Sequence, residues 1–499
     1  MSRILPVLIG AGQTTDRPDD PTAGKEPLLL MEEAARDAVE DAGGGRALFA
    51  ALDTVAVVTN VFHDYGDTAA LLAERLGCRP ARTLVTTWGG NTPQSLMNHL
   101  CDEIAAGRSE LALMAGAEAF ATVRALGKAG KQAAWTPPRP TDAPRWGDPR
   151  PGMSDLESRH GAREPLATYA MVENAFRAAR GLSLAEHRAE LGEFCARCTQ
   201  VAARNPHAWF RDAKDATTIV TVTAGNRMVA FPYPKFMNAI LEVNQGAALL
   251  LASDGAVRRL GIRSDRCVYP WAGVDVNELW FLIERVNYHT LPGMQRAARE
   301  LLTTARVGLD EIRHLDLYSC FPIAPRLSAA MLGLAPDARP LTVAGGLPWF
   351  GGPGNNYTTH AIAAVMERLR ADRDGFALTH ALGWNLTKHA LAIYAAEPPP
   401  SGWQRAGGAA LQAWVDALPH PALAPEATGR GTIETYTVVR GRDGGPERGV
   451  VIGRLGDHRR FIAAVARDRR VLEGMERAEQ IGRSGTVRHD GERNVFAPD

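Results

Sequence analysis

The chain has 499 residues, 45% of them hydrophobic and 22% charged, with 56 Lys+Arg balancing 56 Asp+Glu. That length exceeds what one core usually holds, so two or three domains are expected. A neutral chain without a basic block excludes charge-driven nucleic-acid binding; no run approaches the ~18 apolar residues of a membrane span.

In chain order, Ile4 to Gly10 reads as a buried strand that Gly and Gln soon end, not as a signal peptide. A helix follows from about Leu28 to Ala42, with Ala34, Ala35 and Val39 on one face. Val55 to Thr59 is a strand, and Thr68 to Gly77 a helix closed by glycine. Leu84 to Gly116 reads as strand, Gly89-Gly90 turn, helix and strand. The helix starts at Asn91 or Thr92, with Pro93 in its first turn. Such a turn offers free N–H groups and a positive dipole end, where an enzyme can place a nucleophile or an oxyanion site. Only glycines and an asparagine stand there.

From Phe120 to Pro234 the pattern changes to an insertion, a common place for ligand contacts. Thr136 to Gly152 is too rich in proline for regular structure. Helical segments follow near Pro165 to Arg180 and Leu184 to Asn205, and Asn226 to Ile240 leads back to a strand at Ala247 to Ala252. The second half then repeats the first. Asp53 lies seventeen residues after Arg36 of EAARD, and Asp316 seventeen residues after Arg299 of RAARE. A strand at Leu341 to Ala344 enters the turn GGLPWFGGPGNN, followed by a helix at Tyr357 to Leu369 and a strand at Phe376 to His380. After Pro398-Pro399-Pro400 comes a linker with one helix, Ala409 to Ala417. A β-rich tail follows, with a hairpin of Thr432 to Arg440 and Gly449 to Leu455 and a short apolar run at Asn494 to Phe496.

This duplicated α/β core resembles the thiolase superfamily across roughly residues 4 to 397. NQGAALLLASDGA (Asn244 to Ala256) resembles the strand-entry motif that opens the second half of thiolases. The branch it most resembles is thiolase-like protein type 1, near the sterol-carrier-protein thiolases. The resemblance implies a five-layer α-β-α-β-α core with an inserted loop domain and a small OB-like C-terminal β domain. Residues 1–119 and 241–256 would form the first half, 120–240 the insertion, 257–397 the second half, 398–424 a linker and 425–499 the β domain. It further implies a CoA thioester as substrate or ligand, no covalently bound cofactor, a monomer or homodimer, and a β domain that covers the active site or docks another subunit.

Each motif of working thiolases has lost its usual residue here. The nucleophilic cysteine position falls on Gly90, or Gly89 with a gap; Asn-Glu-Ala-Phe becomes Tyr318-Ser319-Cys320-Phe321; Gly-His-Pro becomes Gly351-Gly352-Pro353; the second cysteine aligns with His380 of HALG. Glycine can neither hold an acyl group nor act as a base, so a ping-pong Claisen route is not expected. The remaining candidates are His380, with an unperturbed pKa near 7, Tyr318 and Cys320. His380 reads equally as a core histidine, Tyr318 as a core aromatic and Cys320 as a small buried hydrophobe. Tyr318 resembles the tyrosine that thiolase-like steroid side-chain aldolases carry at this motif. Their second tyrosine falls on Gly352, for which Tyr357 is a distant substitute. Free N–H groups at Gly89, Gly90, Asn91 and Gly352 are expected to hold a thioester oxygen or an enolate. Asn355 or Asn356 is expected to cap the helix beyond, with His360 packed one turn in.

For the phosphates of CoA the insertion offers Arg139, Arg145, Arg150, Arg227 and Lys235; each also reads as a solvated surface charge. The lone Cys195-x-x-Cys198 has no second pair, so no metal is expected. The six irregularly spaced cysteines fit reduced thiols in a cytoplasm. Two functions stand at this point. One is an acyltransferase or C–C lyase acting on CoA thioesters in lipid metabolism. The other is a non-catalytic acyl-CoA-binding or scaffold protein.

Overall fold

A computed structural model describes residues 3–335 and 339–499. The strands in chain order are β1 (Pro6–Thr15), β2 (Thr54–Val57), β3 (Arg82–Val85), β4 (Leu111–Ala119), β5 (Met228–Ala230), β6 (Tyr233–Pro234), β7 (Asn244–Ser253), β8 (Tyr269–Asn277) and β9 (Ile312–Leu317). They continue with β10 (Phe376–Gly383), β11 (Lys388–Ala395), β12 (Gln404–Arg405), β13 (Gly429–Arg440), β14 (Pro446–Leu455), β15 (Arg460–Val465), β16 (Ser484–His489) and β17 (Asn494–Pro498).

The first half forms a sheet in the order β1-β7-β4-β2-β3. β1 and β4 flank β7 antiparallel, while β4, β2 and β3 run parallel. The second half repeats the pattern as β8-β11-β10-β9. β11 is antiparallel to both neighbours, and β10 and β9 are parallel. All of β7 and β11 is buried, as expected for strands covered on both faces. Helices Pro27–Ala42 and Thr68–Leu76 pack on the outer face of the first sheet. Helices Pro292–Ala305 and Ile323–Leu332 pack on the outer face of the second. Between the sheets lie helices Thr92–Ala105 and Tyr357–Ala371, whose Leu96, Met97, Ile362 and Met366 share a fully buried layer with both sheets. This is a five-layer α-β-α-β-α core.

The expected strand at Leu341 to Ala344, the counterpart of β3, does not form. The Asp316 carboxylate accepts from Thr342 Oγ1 at 2.8 Å, Val343 N at 3.0 Å and Ala344 N at 3.1 Å, taking the N–H groups a strand ladder would use. The fifth strand of this sheet is β12, added beside β8 on the opposite edge by the segment after the proline run.

β13, β14, β15, β17 and β16 close into a five-stranded barrel, β13 pairing with β14 on one side and β16 on the other, β15 and β17 parallel. β5 of the insertion joins β13 through Ala230 and Val439. The barrel is also fastened through Arg460. This fully buried guanidinium pairs with Glu434 at 2.6 Å and donates to the carbonyls of Ile283 at 3.1 Å and Val286 at 3.2 Å, beyond β8. Among the described residues no helix is long and apolar enough to cross a membrane.

Candidate active site

The Gly89-Gly90 turn leads from β3 into the Thr92–Ala105 helix and walls a cavity of about 390 Å³. Facing it are Tyr318 and Cys320 beyond β9, Leu382 and Trp384 at the end of β10, and Tyr169 of the Pro165–Ala179 helix. These segments converge because β9 and β10 are parallel neighbours that end together, Leu317 opposite His380. The carboxyl ends of parallel strands, next to helix N-termini, are the usual place for a site in such sheets.

Tyr318 occupies the centre. Its backbone N–H donates to the His380 carbonyl at 3.0 Å, and its ring stands edge-on to Tyr357 at 5.7 Å. The hydroxyl has no hydrogen-bond partner among the described residues. Burial pushes its pKa well above the usual phenol range, so it is a proton-bearing donor at neutral pH. A Cβ at Gly90 would collide with this hydroxyl and come within 2.5 Å of Tyr318 Cζ and 2.6 Å of the Leu382 carbonyl oxygen. Glycine at 90 and tyrosine at 318 are therefore one feature: the phenol fills the space a side chain on the turn would need.

Cys320 is half-buried and its thiol is pushed up to about 12 by burial, so it is not a thiolate at neutral pH. The Tyr169 hydroxyl donates to the Trp384 carbonyl at 2.8 Å, and its ring stacks on Phe321 at 4.6 Å. Trp384 and Leu386 hold φ of 56° and 58°, left-handed conformations unfavourable for such side chains; this bend after β10 turns the indole into the cavity.

His380 is not a wall of this cavity. Its Nε2 lies 3.0 Å from His389 Nδ1, the rings stack at 5.3 Å, and burial drives its pKa down to about 3. Its expected role as the neutral-pH acid/base is thus corrected to that of a buried, uncharged core histidine. A Cys-x-Gly motif counted back from Gly383 begins at Ala381, and the residue brought against Gly90 is Leu382.

Two of the four turn N–H groups expected to be free are engaged. Gly89 N–H donates to Asn355 Oδ1 at 3.0 Å and Gly352 N–H to the Ile240 carbonyl at 2.8 Å. Gly90 lines the cavity, and its N–H has no partner among the described residues. Asn91 lies on the other side of the turn, in a separate polar cavity of about 300 Å³ with Asp148, Asp275 and Lys388. Asn356 stands at the N-cap position of the following helix, as expected, but its Oδ1 accepts from the Thr359 hydroxyl at 2.6 Å and not from a backbone N–H. Asn355 bridges Gly89 to the Thr59 carbonyl at 3.0 Å, and Asn356 donates to the Gly116 carbonyl at 2.6 Å. The Tyr357 hydroxyl accepts from Gly346 N at 3.2 Å and His360 Nδ1 lies 2.9 Å from Gln13 Oε1, so both are internal.

The cations of the long loop are committed elsewhere. Arg139 pairs with Glu74 at 2.8 Å, Arg145 with Asp64 at 2.7 Å, and Arg150 with Asp148 at 2.6 Å while lying 3.6 Å over the Trp280 ring. None of the three lines the cavity, and neither do Arg227 and Lys235. Arg227 lines a separate cleft between the insertion and the barrel, and Lys235 is exposed.

Sequence reasoning did not single out Tyr169, Trp384 or Lys388. Lys388 donates to the Trp88 carbonyl at 2.6 Å behind the turn, and burial brings its pKa down to about 8. A lysine opening the buried run of β11 was the available signal.

A duplicated five-layer core with its site at paired helix N-termini defines a thiolase fold. Residues 410–492 match the family described as thiolase-like protein type 1 additional C-terminal domain. A crystal structure of a monomeric SCP2-thiolase-like protein type 1 from Mycobacterium smegmatis is 34% identical, covers 99% of this chain and 98% of its own, and superposes with a TM-score of 0.86. The chain belongs to this type 1 family of the thiolase superfamily. Benzoylsuccinyl-CoA thiolase subunit BbsB of Thauera aromatica is 23% identical over 263 residues, 46% of this chain and 63% of that relative's length. An acetyl-CoA acetyltransferase from Syntrophomonas wolfei, 13% identical with a TM-score of 0.57, covers 79% of this chain and 100% of its own and shares the fold.

Proposed function

We propose that the Tyr318 cavity binds a CoA thioester and that Tyr318 serves as its hydrogen-bond donor and acid, in a C–C cleavage or acyl transfer that forms no acyl-enzyme on the turn. The observation that carries this reading is the collision of any Gly90 side chain with the Tyr318 hydroxyl. A proton-bearing phenol beside an unpartnered backbone N–H can share a thioester oxygen or the enolate that C–C cleavage leaves. The apolar walls, Leu382, Phe321 and Trp384 among them, suit an acyl chain. The barrel reaches the rim, since Arg448 of β14 pairs at 2.7 Å with Glu164, a rim residue, so we read the barrel as part of the cavity's cover.

A second reading, acyl-CoA binding without turnover, draws on the two reactive groups at the floor. Tyr318 and Cys320 are both pushed upward by burial, and His380 stands outside the cavity. The two are separated by mass spectrometry of purified protein with 3-ketoacyl-, 3-hydroxyacyl- and simple acyl-CoAs, with and without free CoA. Shortened or cleaved products that vanish in Tyr318→Phe establish the enzyme. Intact substrates throughout, with the thioesters bound, establish the binding protein.

A further inference from the structure

Lys388 opens β11 beside the polar cavity, on the far side of the Gly89-Gly90 turn from Tyr318. The residue is buried, and its stem fills a slot that two glycines leave open. A Cβ at Gly89 would stand 2.8 Å from Lys388 Nζ, and a Cβ at Gly383, its antiparallel partner in β10, 2.9 Å from Lys388 Cε. The ammonium donates to the Trp88 carbonyl at 2.6 Å and lies 5.4 Å from the centre of the Trp384 ring. Trp88 and Trp384 are both walls of the Tyr318 cavity, so Lys388 holds two of its walls from behind.

The turn is fixed one peptide at a time. The Trp88–Gly89 peptide has its carbonyl on Lys388 and its N–H on Asn355 Oδ1 at 3.0 Å. The next peptide has its carbonyl, that of Gly89, on the Thr92 N–H at 3.0 Å and the Thr92 hydroxyl at 2.7 Å. In a planar trans peptide the N–H points opposite to the C=O, so the Gly90 N–H is turned away from Thr92 and toward the cavity that Gly90 lines. Gly89 has φ of 148°, a region glycine enters freely, so sterics alone do not hold the turn. Lys388 supplies the charge-assisted bond at its entry.

We propose that Lys388 is a positioning residue of the candidate site: as an ammonium it pins the Trp88 carbonyl and so keeps the Gly90 N–H aimed at a bound thioester oxygen. The proposal rests on the thioester reading of the Tyr318 cavity and adds to it a dependence on a charge outside that cavity. The charged groups around Lys388 are committed to one another. Asp148 of the long loop draws the ammonium but pairs with Arg150 at 2.6 Å. Asp275 of β8 and Asp102 of the Thr92–Ala105 helix pair with Arg405 of β12 at 2.7 and 3.3 Å. Burial lowers His99 and His389, so both are uncharged above pH 7. Burial also brings Lys388 from 10.5 to about 8, so the ammonium holds the turn below pH 8 and is lost above it.

Trp-Gly occurs twice in the chain, at Trp88-Gly89 and Trp146-Gly147. NMR of the full chain with isotope-labelled tryptophan carbonyls and glycine amides therefore shows these two peptide bonds alone, and Trp146→Phe tells them apart. The Trp88 carbonyl signal is expected to move with a midpoint near pH 8. The movement is expected to vanish in Lys388→Met and to persist in Glu118→Gln, which removes another group brought to about 8. Butyryl-CoA affinity by calorimetry is expected to fall about fivefold in the parent between pH 7 and about 9.5; in Lys388→Met it is expected to be low and flat. Both titrations are run on the parent chain, so they hold whether or not Lys388→Met folds. A Trp88 signal that does not respond, or responds equally in Lys388→Met, would overturn the proposal. Butyryl-CoA binding that is unchanged across this range would overturn this proposal alone, whereas no binding at any pH would overturn the thioester reading together with it.

Discussion

Replacing Gly90 by cysteine is expected to damage the protein without giving it a thiolase nucleophile. The new Cβ would stand 2.5 Å from Tyr318 Cζ and 2.6 Å from the Leu382 carbonyl oxygen, in addition to striking the phenol oxygen. Tyr318 cannot swing aside easily, because its backbone is tied to His380 at 3.0 Å and its ring abuts Tyr357 at 5.7 Å. Overpacking of this kind costs about 1–3 kcal/mol, and a clash with a backbone carbonyl places it at the upper end. Urea denaturation of Gly90→Cys, Tyr318→Ala and the double variant measures the pair. The double variant is expected to be more stable than the sum of the single effects by roughly 1–3 kcal/mol, the signature of two residues competing for one volume. The Gly90→Cys thiol is expected to react slowly with a disulfide reagent until Tyr318 is removed. A fully stable, rapidly labelled Gly90→Cys, or strict additivity, would refute the packing argument.

Three further outcomes follow from the same geometry. Glu118, buried behind the second glycine turn, is raised from 4.5 to about 8 by desolvation, against bonds from the Val61 and Phe62 amides that lower it. Its protonated form favours the fold, so its contribution is full below pH 4.5 and is lost as pH rises through 8; Glu118→Gln is expected to gain about 3 kcal/mol relative to the parent between pH 5 and 8, read by denaturation at each pH. Arg460→Ala leaves Glu434 paired with Arg454 at 2.8 Å but strips the Ile283 and Val286 carbonyls of their donor and is expected to cost about 1–3 kcal/mol, with limited proteolysis releasing the barrel first. His380→Ala is expected to leave acyl-CoA affinity within about twofold and to act through stability alone; a large loss of affinity at unchanged stability would return His380 to the site.

The duplication was legible because both halves carry the same order of apolar runs and glycine turns, and each sheet formed around them. Leu341 to Ala344 misled because strand propensity cannot register Asp316, a carboxylate distant in sequence that captures those N–H groups. In the tail, β15 and the short amphipathic Arg469–Arg477 helix passed unnoticed between charged residues. At the site, Tyr318 and Cys320 were legible because a motif of four consecutive residues carries them. His380 was misplaced by counting a motif along a strand where two residues decide between the cavity and the layer behind it. Tyr169 and Trp384 could not be paired in advance, since their meeting depends on a left-handed bend at Trp384 and a helix 215 residues away. The loop arginines looked free because their acidic partners lie in distant segments or, for Arg150, two residues back.

The most direct test is calorimetric titration of the full chain with acetoacetyl-CoA, repeated with Ala239→Trp. The indole would fill the cavity between the Gly89-Gly90 turn and Tyr318. Binding that falls at least about tenfold in the filled variant, with its unfolding midpoint unchanged, is the result predicted for a thioester seated against Tyr318. Equal binding to both proteins would place the thioester elsewhere and contradict the account.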